Sequence, residues 1–180
     1  MGSPQDEVGS SASYLAPRSG GAVDAWSEEL AAKGESGSQR LLEVREMAPP
    51  AQVAESLELS AGDMVIVRRR MMLVDERPVE LTDSYYPSSV AAGTGLAQMA
   101  KIRGGAPTLL AELGYSPAEA YEELIVRPAT AEEAEALRLS EGALVIVLVR
   151  TVFTADGAPF ETSLMTMRPE GRRFTYRIKV

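Results

Sequence analysis

Three consecutive arginines, Arg68, Arg69 and Arg70, lie inside a β-branched run, and that setting decides what they can do. On a strand the side chains alternate, so Arg68 and Arg70 share a face while Arg69 points the other way. Two guanidiniums on one face suit a carboxylate or phosphate gripped in bidentate fashion, although an ion-paired sheet face uses the same residues. Glu80 and Glu161 each stand two residues after a proline, Pro78 and Pro159, at equivalent places in two hairpin-like stretches. Such carboxylates can accept directional hydrogen bonds from a polar ligand, or can salt-bridge a neighbouring strand arginine such as Arg70 or Arg150. Arg103, Gly104 and Gly105 precede helical patterning at Thr108, where backbone amides can approach an anion and a helix N-terminus adds partial positive charge. An ordinary turn has the same composition. Ser84, Tyr85 and Tyr86 close the first hairpin, with Tyr85 assigned as the phenol at the ligand. Among the methionines, Met64, Met71, Met72, Met165 and Met167 can line an adaptable pocket or fill a core, and Met165 is the one assigned to the ligand. Glu119, Glu122 and Glu123 read as solvated surface.

The remaining chemistry is narrow. With no cysteine and no histidine in 180 residues, thiol nucleophiles, Ser-His couples, disulfides and Cys or His zinc sites are excluded. Neither a metal nor a cofactor is expected. A net charge of -8 repels a phosphate backbone, so these residues are not expected to bind DNA directly. Apolar residues make up 45% of the chain, enough for a core, yet no run is long enough to span a bilayer. No basic-plus-apolar leader is recognised, which makes a cytoplasmic location the expectation.

The elements that must position these groups come from an internal repeat. Ala51, Ala54, Glu55, Leu57, Leu59, Ser60, Gly62, Val65, Ile66, Val67 and Arg70 recur as Ala131, Ala134, Glu135, Leu137, Leu139, Ser140, Gly142, Val145, Ile146, Val147 and Arg150, at a constant offset of 131 − 51 = 80. The register then slips by one, pairing Pro78 and Glu80 with Pro159 and Glu161. Two copies of one supersecondary unit account for this. Each copy predicts a short helix (Ala51 to Leu57; Ala131 to Leu137), a Ser-x-Gly stop, a long strand (Met64 to Leu73; Ala143 to Thr154), a turn, and a return strand (Val79 to Tyr85; Phe160 to Met167). Between the copies the pattern predicts a helix from Thr108 that Gly114 stops, then a strand from Tyr121 to Arg127. Alternation predicts a last strand from Arg173 to Val180. Residues 1–40, rich in Gly, Ser and charge, read as a flexible tail or linker whose one anchor is Trp26, and residues 41–180 as the folded domain. The expected class is α+β, an antiparallel sheet with helices on one face built from two similar helix-hairpin halves, with a cleft between them or under the intervening loop.

In that arrangement the chain resembles the effector-binding (UTRA) domain of the HutC subfamily of GntR-type transcription regulators. The matching stretches are Val65-Ile-Val-Arg-Arg-Arg, Arg77-Pro-Val-Glu-Leu-Thr-Asp-Ser-Tyr-Tyr-Pro, Leu110-Ala-Glu-Leu-Gly, Glu133-Ala-Glu-Ala-Leu-Arg-Leu and Arg150-Thr-Val-Phe-Thr-Ala-Asp-Gly-Ala-Pro-Phe-Glu. The resemblance implies a chorismate lyase-like fold, a homodimer, a small-molecule effector whose anionic group meets Arg68 and Arg70, and DNA reached only through a winged-helix domain that these residues do not contain. The family usually places a serine and a tyrosine near Gly105 and Pro107 and an aromatic near Met167, so this chain departs where a sugar phosphate would be held. A less polar ligand follows. The leading expectation is therefore an effector-sensing domain rather than an enzyme. Its alternatives are a chorismate lyase-like enzyme with Glu161 as general acid, and a partner-binding dimer module.

Overall fold

The computed structural model describes residues 12–18 and 25–174. After two short helices, α1 (Ala12–Leu15) and α2 (Ala25–Ala32), come strand β1 (Gly37–Met47), helix α3 (Ala51–Ser56) and the hairpin β2 (Val65–Val74) and β3 (Arg77–Pro87). A connecting segment holds α4 (Ser88–Ala91), a single 3-10 turn (Gly95–Ala97) and α5 (Gly105–Glu112). Then the order repeats: β4 (Glu119–Pro128), α6 (Ala131–Ala136), β5 (Leu144–Phe153) and β6 (Pro159–Met167). Each copy of the repeat is thus strand, helix, hairpin. The opening strand of the first copy, β1, carries no strong apolar alternation, and it begins inside the stretch whose composition reads as a linker. Pairing with β2 along ten residue pairs holds it there.

All strands pair antiparallel in one six-stranded sheet, in the order β1-β2-β3-β6-β5-β4. The two copies therefore meet at β3 and β6. Along that seam Asp83 pairs with Leu164, and 83 + 81 = 164, so the residue opposite Asp83 is its own repeat equivalent. A pseudo-twofold axis passes through this pair.

The faces of the sheet are divided by alternation. One carries Val65, Val67, Met71, Leu73, Leu81, Tyr85, Val145, Val147 and Val149, which pack against Val53 and Leu57 of the α3 segment and Leu137 at the end of α6. These repeat helices are short, and Gly62 and Gly142, both at positive φ, let the chain turn back into β2 and β5 at once. The other face is covered at one end by the connecting segment, where Val90, Ala91, Leu96 and Leu110 close over Ile66, Tyr86, Val152 and Phe160. At its other end Trp26 and Leu30 of α2 bury Met72, and the Trp26 indole N–H donates to the Leu73 carbonyl at 3.0 Å. The expected anchor is the one that docks.

Two polar devices set the covering layers in place. Arg68 is buried, 5% exposed, and its guanidinium donates to the carbonyls of Leu96 and Gln98 at 2.8 Å, Ala100 at 2.9 Å and Gly95 at 3.3 Å. One cation thereby ties four carbonyls of an irregular segment to the sheet, two of which, Gly95 and Gln98, also accept backbone amides of the segment itself. At the start of α6, Thr130 accepts from the Glu133 amide at 3.2 Å while Glu133 accepts from the Thr130 amide at 2.9 Å, a reciprocal capping box. Glu133 also forms two hydrogen bonds of 2.7 Å with Arg127, chiefly for which reason its carboxyl is lowered to about 2. Of the final expected strand, Arg173 and Phe174 are not in a strand and the rest lies outside the described residues.

Replacing Arg68 by Met should cost about 2–4 kcal/mol, since hydrogen bonds from a charged donor are each worth about 1.5–3 kcal/mol and the buried carbonyls lose their partner. Hydrogen exchange should locate the loosening in residues 95–100, with the amides of β2 and β3 still protected. Thr130→Ala should cost about 1 kcal/mol. The Glu133 carboxyl binds its proton more weakly folded than unfolded, so its contribution is complete above the ordinary carboxylate range and fades as pH falls toward 2. In urea titrations the stability gap between the parent and Glu133→Gln should narrow across that interval.

Candidate functional site

The face of the sheet under the connecting segment carries the polar groups. Strand pairing sets them in rows: Arg68 stands opposite Ser84, Ser84 opposite Ser163, Ser163 opposite Arg150, and Arg150 opposite Glu122. Arg70 lies one step along β2, opposite Thr82. A directed chain of hydrogen bonds crosses the middle. Arg70 Nη2 donates to Ser84 Oγ at 2.9 Å, and Ser163 Oγ donates to Glu161 Oε1 at 2.8 Å. With the Ser163 proton committed to Glu161, the 2.8 Å contact between the two serines must have Ser84 as donor. The order is Arg70, Ser84, Ser163, Glu161.

Among the described residues, three side-chain atoms on this face have no hydrogen-bond partner although they are buried: Arg70 Nε, Arg150 Nε and Glu122 Oε1. Tyr86 is 1% exposed, and its phenol is raised, first by burial and then by the nearby Glu161 carboxylate, so it stays protonated. Burial pulls the Arg68 guanidinium down, with Arg70 adding to the effect. Beside the chain of hydrogen bonds lies a cleft walled by Leu15, Pro107, Leu110, Tyr115, Pro117 and Phe160, with Val152 and Glu161 also lining it. Tyr115 and Phe160 meet there as tilted rings, centroids 5.8 Å apart.

Not every residue assigned from the sequence reaches this place. Arg70 and Glu161 come together. Arg68 lies next to them but donates to the loop carbonyls, which makes it the holder of the covering segment. Glu80 shares the face, yet it sits six residues along β3 from Tyr86, the level of Glu161, or about 20 Å at strand rise. Its oxygens accept from Thr82 at 2.7 Å and from Arg172 at 2.9 Å, with Arg172 stacked 5.6 Å from the Trp26 ring centre. Neither glutamate pairs with Arg70 or Arg150. Tyr85 points to the opposite face and packs with Val53 and Leu57, because adjacent residues on a strand face opposite ways; Tyr86 is the tyrosine on this side. Met165 is on this face, against Leu148, Met167 and Phe174. Arg103 is exposed, and Gly104 and Gly105, both at positive φ, lead into α5, where Thr108 Oγ1 donates to the Gly104 carbonyl at 2.7 Å. Glu122 is not plain solvated surface: pairing of β4 with β5 sets it half-buried beside Arg150.

Arg150, Ser84, Ser163 and Tyr86 are the residues that sequence reasoning left out of the site. Arg150 had a signal, since it is the repeat equivalent of Arg70. The serines had none, because 163 − 84 = 79 is not the repeat offset and only the seam between β3 and β6 brings them together.

The comparisons agree with this architecture. A family model described as the UTRA domain matches residues 32–172. An uncharacterized HTH-type transcriptional regulator of Streptomyces coelicolor is 32% identical over 133 residues, 72% of this chain and 49% of that protein. An HTH-type transcriptional regulator of Mycobacterium tuberculosis is 32% identical over 132 residues, 70% of this chain and 46% of that one. The chain spans about half the length of the curated relatives it matches. Among solved structures, the ligand-binding domain described for a GntR-family transcriptional regulator from Bordetella bronchiseptica superposes with a TM-score of 0.69 at 25% identity, over 79% of this chain and 92% of that one. The effector domain of PhnF from Mycobacterium smegmatis shares the fold with a TM-score of 0.73 at 18% identity, over 87% of this chain and 95% of that one. With sequence, strand order and fold in agreement, the chain belongs to the UTRA domain family, the effector-sensing domains of GntR-type transcription regulators.

Proposed function

We propose that this domain senses a small anionic or polar metabolite at the face built on Arg70, Ser84, Ser163 and Glu161. The carrying observation is the directed chain of hydrogen bonds joining a cation to a carboxylate, with Arg70 Nε buried and without an acceptor among the described residues. A buried donor without a partner costs about 1–3 kcal/mol, and a ligand acceptor would recover it. Arg68 and the segment it caps form the lid side of this site, so ligand contact and lid position are linked. In this reading Met165, on the same face of β6 as Ser163 and Glu161, and Arg103, Gly104 and Gly105 ahead of α5 stay candidate contacts.

In this reading the domain works as a homodimer in a cytoplasmic regulator of the HutC subfamily, with a separate winged-helix domain reading DNA. The effector acts by binding one dimer arrangement more tightly than another, since a ligand shifts an equilibrium only by its differential affinity. The relatives named as transcriptional regulators favour this over a lyase built on the same fold.

Thermal-shift and calorimetric screening of a metabolite library against the whole chain should yield a binder. Arg70→Ala and Glu161→Gln should each weaken it at least about tenfold, or about 1.4 kcal/mol. Tyr85→Phe, on the other face, should leave its affinity unchanged. A binder indifferent to both site substitutions overturns the assignment.

A further inference from the structure

Arg150 is 8% exposed and lies on the site face between Ser163 and Glu122, with its Nε–H buried and without an acceptor among the described residues. Its cross-strand neighbour does not satisfy it, because Glu122 Oε1 is itself buried without a donor. An N–H held this way is costly in the free protein, since it has given up its water and gained no acceptor in exchange. Its natural complement is an acidic oxygen supplied from outside the chain.

The surroundings say what else the ligand carries. Val152 follows Arg150 by two residues on the same face, about 7 Å along the strand, and Val152 lines the apolar cleft formed by Leu110, Tyr115, Pro117 and Phe160. Cation and cleft are therefore neighbours. The cleft is narrow and walled mostly by carbon, with Leu110, Val152 and Phe160 buried behind it and Leu15, Pro107, Tyr115 and Pro117 half-exposed at its mouth, so it offers a sugar little to bond with.

We infer that Arg150 is a ligand-binding and specificity-determining residue, and that the effector is an amphipathic organic acid whose carboxylate lies on Arg150 and whose aromatic or branched aliphatic part packs on the half-exposed Leu15, Pro107, Tyr115 and Pro117 at the mouth of the cleft. This rests on the proposed site and narrows its ligand class. Arg70, the repeat equivalent of Arg150 across the seam, meets the polar end of a ligand long enough to reach it, and the serine chain sits between the two cations.

The test uses the whole chain with phenylacetate, isovalerate, phenylacetamide and inorganic phosphate as probes, read by melting temperature and calorimetry. Phenylacetate and isovalerate should stabilise the protein, phenylacetamide and phosphate should not, and Arg150→Met should weaken the two acids at least tenfold. Without probe, Arg150→Met should melt no lower than the parent, because it removes a buried N–H that lacks an acceptor and keeps the hydrocarbon stem. A purely structural arginine predicts the reverse: a lower melting temperature with acid binding intact. That result, equal binding of the amide, or binding of phosphate alone overturns the inference. If a metabolite from the library depends on Arg70 and Glu161 but not on Arg150, the site stands and the ligand class is wrong. If the acids bind and none of the three residues matters, both fail.

Discussion

The hydrogen bond between Ser84 and Ser163 is the contact on which the rest of the site depends. It lies on the seam where the two copies of the repeat join, one residue pair from the pseudo-twofold axis at Asp83 and Leu164. Each hydroxyl is fully buried, so each must find partners inside the protein: a guanidinium and the Tyr86 phenol stand beside Ser84, and a carboxylate beside Ser163. The result is a one-way chain with Arg70 at its donor end and Glu161 at its acceptor end. A sheet centre that would otherwise be apolar becomes a polar floor with fixed direction. A ligand over this floor meets donors at one end and an acceptor at the other.

Symmetry supplies the parts, and its breaking supplies the function. Duplication places a strand arginine at position 70 and again at 150, and a glutamate after a hairpin proline at 80 and again at 161. The two halves then use them differently. Glu80 is bound to Arg172 beneath Trp26, and so helps clamp α2 to the sheet, whereas Glu161 has no cationic partner among the described residues and faces the cleft. Arg68 is consumed by four carbonyls, and its counterpart at the same offset is Leu148, an apolar residue that packs with Met165 and Met167. One half holds the cover in place and the other keeps its polar groups available. Arg70 and Arg150 form no ion pair among the described residues, a loss in stability that the proposed ligand would recover.

Much of this was legible in the residues themselves. The repeat, the helix-hairpin units, the six strands except β1, and the docking of Trp26 follow from periodicity and turn chemistry, which are local properties. β1 was not legible because its alternation is weak and its strand state comes from pairing with β2 rather than from propensity. The bulge that skips Leu42 within it has no signature in one sequence either. At the site, types and spacing pointed to Arg70 and Glu161, and the offset of 80 would have pointed to Arg150. The assignment of Tyr85 failed on phase, since being one residue off on a strand exchanges the two faces.

What the sequence alone determined is the composition of each face: which side chains alternate together on β2, β3, β5 and β6 follows from a period of two and from the turns that start each strand. What only the tertiary structure decided is which faces meet and in what register. The order β2-β3-β6-β5 set Ser84 against Ser163, sent Glu80 to Arg172, and left Arg150 beside a carbon-walled cleft with no acceptor. The reason is physical: alternation is a property of one strand, whereas the partner of a buried polar atom depends on pairings between residues roughly eighty positions apart, which no local rule encodes.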